Sequence, residues 1–231
     1  MHKHRYLFFL LAILLTASVP STLYADPAHL PEGFSDVLAA APEIRLDLRY
    51  LGSDNFMGRP VAGYEAARLV LSNAATDALA AVQGQLEVMG LGLLVYDAYR
   101  PQRAVDDFVR WAKDMDDQVN KQAYYPDVDK SELFERGYIA ARSGHTRGST
   151  VDVTLVALES GEPLDMGTPW DFFGPESWPD DARVTEQQRA NRLLLRTLMM
   201  QAGFLPYAQE WWHFTLAAEP FPGTYFDFPI R

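Results

Sequence analysis

The sequence predicts a single α+β domain: a largely antiparallel sheet with helices packed mainly on one of its faces. Three observations carry that fold class. Residues 44–50 alternate apolar and charged side chains, the period of a half-buried strand. Residues 151–156 form a β-branched run that reads as a strand far downstream. Stretches of helical period separate and follow these strands, so the strands are mostly non-consecutive and share one unit with the helices. The 231 residues are 48% hydrophobic, enough for one core, with no internal repeat and no low-complexity linker.

The elements follow in order. Residues 1–25 read as a secretory leader, leaving a body of 26–231. His2-Lys3-His4-Arg5 supplies a positive start, and residues 6–15 form an apolar run too short to span a bilayer. Cleavage is expected after Ala25; because Leu23 is larger than the usual small residue there, an uncleaved anchor is the alternative. Either way the body is expected to be exported, to the periplasm or, with the leader retained, to the cell envelope.

Residues 26–43 read as irregular. After the strand at 44–50, the glycines and proline of 53–63 mark a loop. Residues 64–89 are Ala- and Leu-rich with helical period, and Gly90 offers a cap. Residues 91–99 read as a buried strand. Pro101 opens a helix whose stripe of Val105, Phe108, Val109 and Ala112 is core packing. Residues 114–130 read as a polar surface excursion, 131–136 as a short helix and 161–167 as a turn. Residues 170–181 form an aromatic, proline-containing loop long enough to line a site. Thr185-Glu186-Gln187-Gln188 is a capping box that opens a helix to Gln201, with Gly203 past its end. The last strand is expected within 204–216, and the aromatic tail 220–229 packs on the surface.

The chemistry concentrates in two places. His145 stands seven residues before Asp152, with the turn signal Arg147-Gly148-Ser149 between them. His145 therefore belongs on a loop and Asp152 near the start of a strand. Downstream, Glu210-Trp211-Trp212-His213 carries the second histidine of the body beyond His29. A lone histidine beside apolar residues reads as a satisfied core residue; two in such contexts favour ligation. A His-Asp-His set with an open fourth position is the composition of a catalytic zinc site, here placed at the sheet. A free glutamate beside it is the usual base for the metal's water. Three residues apart on a regular strand, Glu210 and His213 would face opposite ways, so Glu210 must sit in a turn or bulge before the strand proper.

Composition removes other classes. The formal charge is −11, and loss of Lys3 and Arg5 with the leader leaves 18 basic against 31 acidic side chains, or −13. So acidic a surface disfavours nucleic acid or an anionic membrane as partner. There is no cysteine, which excludes disulfides, thiolate metal sites and a cysteine nucleophile.

With these residues on the page, the chain resembles the VanX-type zinc D-alanyl-D-alanine dipeptidases, part of a wider group of zinc D,D-peptidases with a hedgehog-like fold. The signature S-x-H-x-x-G-x-A-x-D is matched by Ser143, His145, Gly148 and Asp152, with Thr150 where alanine is usual, a departure expected to affect packing only. E-x-x-H is matched by Glu210 and His213. Asp97-Ala98-Tyr99-Arg100-Pro101 matches a third motif, and Asp54, Asn55 and Phe56 with Gly58, Pro60, Gly63 and Tyr64 a fourth. The likeness runs from about residue 30 to the C-terminus.

The resemblance implies one zinc per chain on His145, Asp152 and His213, with Glu210 as base and Arg100 stabilising the oxyanion. It implies that Asp171 and Tyr50 hold the substrate ammonium and that Ser143 contacts substrate near the metal. The residues alone leave other readings open: Arg100 as a surface arginine bridging to Asp97, Asp171 as a solvated acid, Tyr50 as an ordinary strand residue. The implied activity is hydrolysis of a small D,D-dipeptide, D-Ala-D-Ala, to D-alanine in wall-peptide turnover or recycling. The alternatives are a D,D-carboxypeptidase or peptidoglycan hydrolase acting on stem peptides, and a non-catalytic wall-fragment-binding protein. No nucleic acid and no membrane partner beyond export is expected, and the sequence sets no oligomeric state.

Overall fold

The computed structural model describes residues 30–231; the expected leader lies outside them. Seven strands run β1 (Phe34–Asp36), β2 (Arg45–Leu46), β3 (Val70–Ser72), β4 (Leu91–Asp97), β5 (Thr150–Ala157), β6 (Phe204–Tyr207) and β7 (Glu210–Leu216). Five α-helices join them: α1 (Val37–Ala40), α2 (Asn73–Glu87), α3 (Gln102–Lys113), α4 (Lys121–Tyr124) and α5 (Glu186–Gln201). The main sheet has the order β2-β4-β5-β7-β6, and β1 pairs with β3 in a small second sheet. Only β2–β4 is parallel; the other ladders are antiparallel. Helices α2 and α5 touch each other and both pack on the main sheet, α2 on β4 and α5 on β5, β6 and β7. The α+β class and the helix-covered face are those the sequence predicts.

Several boundaries differ, each for a local reason. The strand expected over 44–50 is confined to Arg45–Leu46. A 3-10 turn at Arg49–Leu51 follows, with the Arg49 Nε donating to Asp47 at 2.8 Å and its guanidinium lying over the Tyr96 ring. The alternating pattern reported one buried face, which the turn also supplies by burying Tyr50.

The helix expected over 64–89 starts later, because Val70–Ser72 pairs with β1 and Ser72 caps α2 by accepting from the Ala75 amide. Ser72 also donates its amide to the Gly148 carbonyl at 2.6 Å and shares a 2.8 Å hydrogen bond with Ser149, tying α2 to the His145 loop.

The stretch 114–130 is not a purely surface excursion. Tyr124 and Tyr125 are buried, and so is Lys130, whose ammonium donates to the carbonyls of Asp114 and Asp117 over the Trp111 ring. These carbonyls and the indole face replace the water an ammonium would otherwise need. The helix expected at 131–136 is a 3-10 turn at Lys130–Glu132. The last strand is a hairpin of β6 and β7. At α5 both halves of the capping box form, between Thr185 and Gln188.

Candidate active site

The register of the sheet builds one wall of the site. Asp97 on β4 stands opposite Asp152 on β5, which stands opposite His213 on β7. Residues directly opposite in antiparallel strands share a face, so the three side chains form one row. One extra residue between Val95 and Asp97 bulges β4 and aims Asp97 along that row.

A second irregularity sits in β7. Pro206 pairs with Phe214, but the next residue, Tyr207, pairs with Glu210, leaving three β7 residues unmatched. This bulge overrides the strand alternation and brings Glu210 Oε2 to 3.2 Å from His213 Nδ1. Glu210 is the first residue of β7, where the spacing required a break from regular geometry.

His145 arrives from the 3-10 turn Gly144–Arg147. Ser143 caps that turn, its Oγ accepting from the His145 amide at 3.3 Å. Gly148 closes it at φ +81°, where a Cβ would collide with the Phe34 ring. The His145 ring is buried, with Nδ1 at 2.7 Å from the Ala98 carbonyl oxygen. A carbonyl can only accept, so Nδ1 carries the proton and Nε2 presents its lone pair inward.

Three donor atoms then converge. His145 Nε2, Asp152 Oδ1 and His213 Nδ1 are separated by 3.3, 3.1 and 3.3 Å. Ligands at zinc bond lengths of about 2.0–2.1 Å on a tetrahedron would stand roughly 3.3 Å apart. Asp152 Oδ1 is buried without a hydrogen-bond partner, while Oδ2 accepts from the Trp170 indole at 3.1 Å. An orphaned carboxylate oxygen between two imidazole nitrogens fits a divalent cation, and the indole and Ala98 contacts orient the ligands from behind.

The electrostatics point the same way. Asp97 and Asp152 lie 2.8 and 3.9 Å from the buried Arg100 guanidinium, and Asp171 and Glu210 line the same cavity. Burial pulls the His213 imidazolium down, but the adjacent carboxylates of Asp152 and Glu210 outweigh it and raise its pKa to about 10. Burial disfavours the Asp152 carboxylate, yet the two imidazoles hold its pKa well below the ordinary range. Both shifts express one demand for positive charge at this point, which a cation would meet.

Arg100 is not a surface residue. Its Nε and Nη2 lie 2.9 and 2.8 Å from Asp97 Oδ2, and it packs against the adjoining rings of Tyr50 and Phe108. Asp97 Oδ1 accepts in turn from the Tyr64 hydroxyl at 2.6 Å. The Asp97 bridge is real, and it fixes the guanidinium in the site rather than holding it at the surface.

Asp171 is not solvated either. It is buried, and its Oδ2 accepts from the Tyr50 hydroxyl at 2.6 Å. Asp171 is the one non-glycine with positive φ among the described residues, at +59°. Such backbone costs on the order of 1–3 kcal/mol and persists where the surroundings over-determine it. Burial first, and the Asp152 charge second, push its carboxyl well above the usual range.

All eight residues singled out from the sequence line one cavity of about 300 Å³, at the small end of ligand pockets. The sequence reading did not assign two supporting residues, Trp170, which holds Asp152, and Tyr64, which holds Asp97; Asp97 it paired with Arg100 only as a surface bridge. Asp97 and Tyr64 stand inside quoted motifs, so their signal was available. Trp170 carried no signal beyond its place beside Asp171.

The family model described as D-ala-D-ala dipeptidase, Peptidase_M15, matches residues 31–231. The D-alanyl-D-alanine dipeptidase of Streptomyces coelicolor is 50% identical over 187 residues, covering 81% of this chain and 93% of the relative. That of Enterococcus faecalis is 42% identical with the same coverage. That of Enterococcus faecium is 39% identical over 199 residues, 86% of this chain and 98% of the relative.

Proposed function

This chain belongs to the Peptidase_M15 family of D-Ala-D-Ala dipeptidases, and on that premise we propose that it is a zinc enzyme that hydrolyses D-Ala-D-Ala to D-alanine. One observation carries the reading: three donor atoms at tetrahedral spacing share a small cavity with an adjacent carboxylate outside the ligand set, Glu210, and one fixed guanidinium, Arg100. His145, Asp152 and His213 would hold the zinc. When bound, zinc lowers the pKa of a water to about 7 and polarises a carbonyl.

The chain's own groups do the rest. Glu210 accepts the proton of the attacking water and delivers it to the leaving amine nitrogen. Arg100 offsets the charge that develops on the carbonyl oxygen, and because Asp97 already fixes it, no reorganisation is needed at that moment. Asp171, with the Tyr50 hydroxyl, receives the substrate ammonium, whose charge restores the ionised carboxylate that burial disfavours. An N-blocked peptide would leave that carboxylate buried without its partner, so the anchor and the small cavity favour a free dipeptide over stem peptides. Ser143 holds the His145 turn and lines the cavity beside it.

The leader features of residues 1–25 support export, which places the substrate outside the inner membrane and the role in wall turnover or nutrient recovery. Fractionation tests this: mature protein outside the cytoplasm is expected, and native protein inside it with an intact leader overturns it. For the activity, D-alanine release from D-Ala-D-Ala is measured with zinc, with a chelator and with Glu210→Ala. Zinc-dependent release that vanishes in the variant is expected; no release from folded, zinc-loaded protein overturns the reading.

A further inference from the structure

A D-Ala-D-Ala molecule is a zwitterion, and the groups assigned so far serve its ammonium and its amide but not its carboxylate. The inside of the cavity is strongly anionic, so a free carboxylate entering it needs a cation. Two guanidiniums line the cavity, Arg100 and Arg142. Arg100 is committed: Asp97 holds two of its nitrogens, and its guanidinium packs against the adjoining rings of Tyr50 and Phe108.

Arg142 is in the opposite condition. It is exposed at the rim, and among the described residues its side chain makes no ion pair. Its guanidinium rests over the Tyr225 ring, 4.7 Å from the centroid. A cation–π contact at an exposed site is weak enough to exchange for a carboxylate, and it leaves the in-plane N–H donors free for a bidentate partner. Arg142 also directly precedes Ser143, the residue that caps the His145 turn, so its backbone is fixed relative to the ligand set. Charge in the cavity is thus segregated, with the Asp171 carboxylate buried inside and an uncommitted guanidinium at the rim.

We propose that Arg142 is a specificity-determining residue that binds the C-terminal carboxylate of the dipeptide, so that the two charged ends of the substrate are read by Asp171 and Arg142. The assignment rests on the dipeptidase reading. It makes the enzyme selective for a free C-terminus as well as a free N-terminus, the pair of features that separates a dipeptide from every internal peptide bond.

The test compares zinc-loaded wild type, Arg142→Gln and Arg142→Lys on D-Ala-D-Ala and on its C-terminal amide. Wild type is expected to favour the free acid. Arg142→Gln should lower kcat/KM for the free acid by about tenfold or more, through KM and with kcat within about twofold. The amide should change by less than about twofold, so that the preference collapses. Arg142→Lys should recover part of it, as a point charge without the fork. Because the side chain is exposed, melting temperatures should match wild type. An equal loss on both compounds, or an unchanged preference, overturns the proposal. A wild type that cleaves neither compound overturns the dipeptidase reading instead; calorimetric binding of the same two compounds to wild type and Arg142→Gln then decides the role of Arg142 by the same ratio.

Discussion

The cavity has two walls built on different principles. On one, Asp97, Asp152, Glu210 and His213 come from adjacent strands, and their placement is set by cross-strand register and two bulges. On the other, Tyr50, Asp171 and Arg142 come from a 3-10 turn and irregular segments, with the Tyr50 hydroxyl donating to Asp171 and the Arg142 guanidinium resting over Tyr225. The sheet wall carries the base and two of the three proposed metal ligands, groups whose spacing must hold to within a few tenths of an ångström; the third ligand, His145, reaches them from the 3-10 turn Gly144–Arg147. The loop wall carries the groups proposed to choose the substrate. Rigid ladders suit the first task, and loops that can vary without disturbing the sheet suit the second.

Substitutions can break that division. Glu210→Gln, on the sheet wall, should reduce kcat by about 10²–10⁴-fold, the usual worth of a positioned base, with the melting temperature little changed. A KM effect without a kcat effect would move Glu210 to the substrate-selecting group.

Asp171→Asn, on the loop wall, should act mainly through KM, raising it about tenfold to a hundredfold for D-Ala-D-Ala and narrowing the discrimination against the N-acetyl dipeptide. The same variant has a pH signature in the metal-free protein. The unfolded carboxyl ionises near about pH 4, whereas burial holds the proton on folded Asp171 to higher pH. Folded protein therefore binds more protons in that window, and stability is lost as pH rises toward the folded pKa. Denaturant melts from pH 4 to 7 should show Asp171→Asn gaining on wild type as pH increases.

Trp170→Phe sharpens the comparison, since it sits beside Asp171 in the loop yet supports the sheet wall through Asp152 Oδ2. It should weaken zinc binding by about 10–100-fold in a competition titration, with a smaller effect on KM at saturating zinc. The smallest effect is expected at Thr150→Ala. The Thr150 hydroxyl shares a 2.9 Å hydrogen bond with Thr215 and packs closely on Gly144. Its loss should cost less than about 1.5 kcal/mol in a denaturation midpoint and leave turnover unchanged.

The two walls were unequally legible. His145, Asp152, Glu210 and His213 lie in short motifs whose residue types and spacing imply their chemistry. The spacing of Glu210 and His213 demanded a turn or bulge before the strand proper, and the structure supplies a bulge within β7, whose first residue is Glu210. Tyr50 and Asp171 entered through family resemblance, because a tyrosine in an alternating run and an aspartate among other acids carry no local signal. The alternation over 44–50 was read as a strand when it marks burial shared by two strand residues and a turn.

The sequence by itself determined the α+β class, the capped helix α5, the candidate ligand set with its base, and the absence of cysteine chemistry. Each rests on interactions between residues close in the chain, or on composition alone. Only the tertiary structure decided that Asp97, Asp152 and His213 form one row, that Trp170 and Ala98 orient the candidate ligands, and that Arg100 is committed while Arg142 is not. Apart from the bridge of Arg100 to Asp97, those facts depend on register between strands and on contacts such as Trp170 to Asp152 and His145 to Ala98, 18 and 47 residues apart in the chain, which no local pattern encodes.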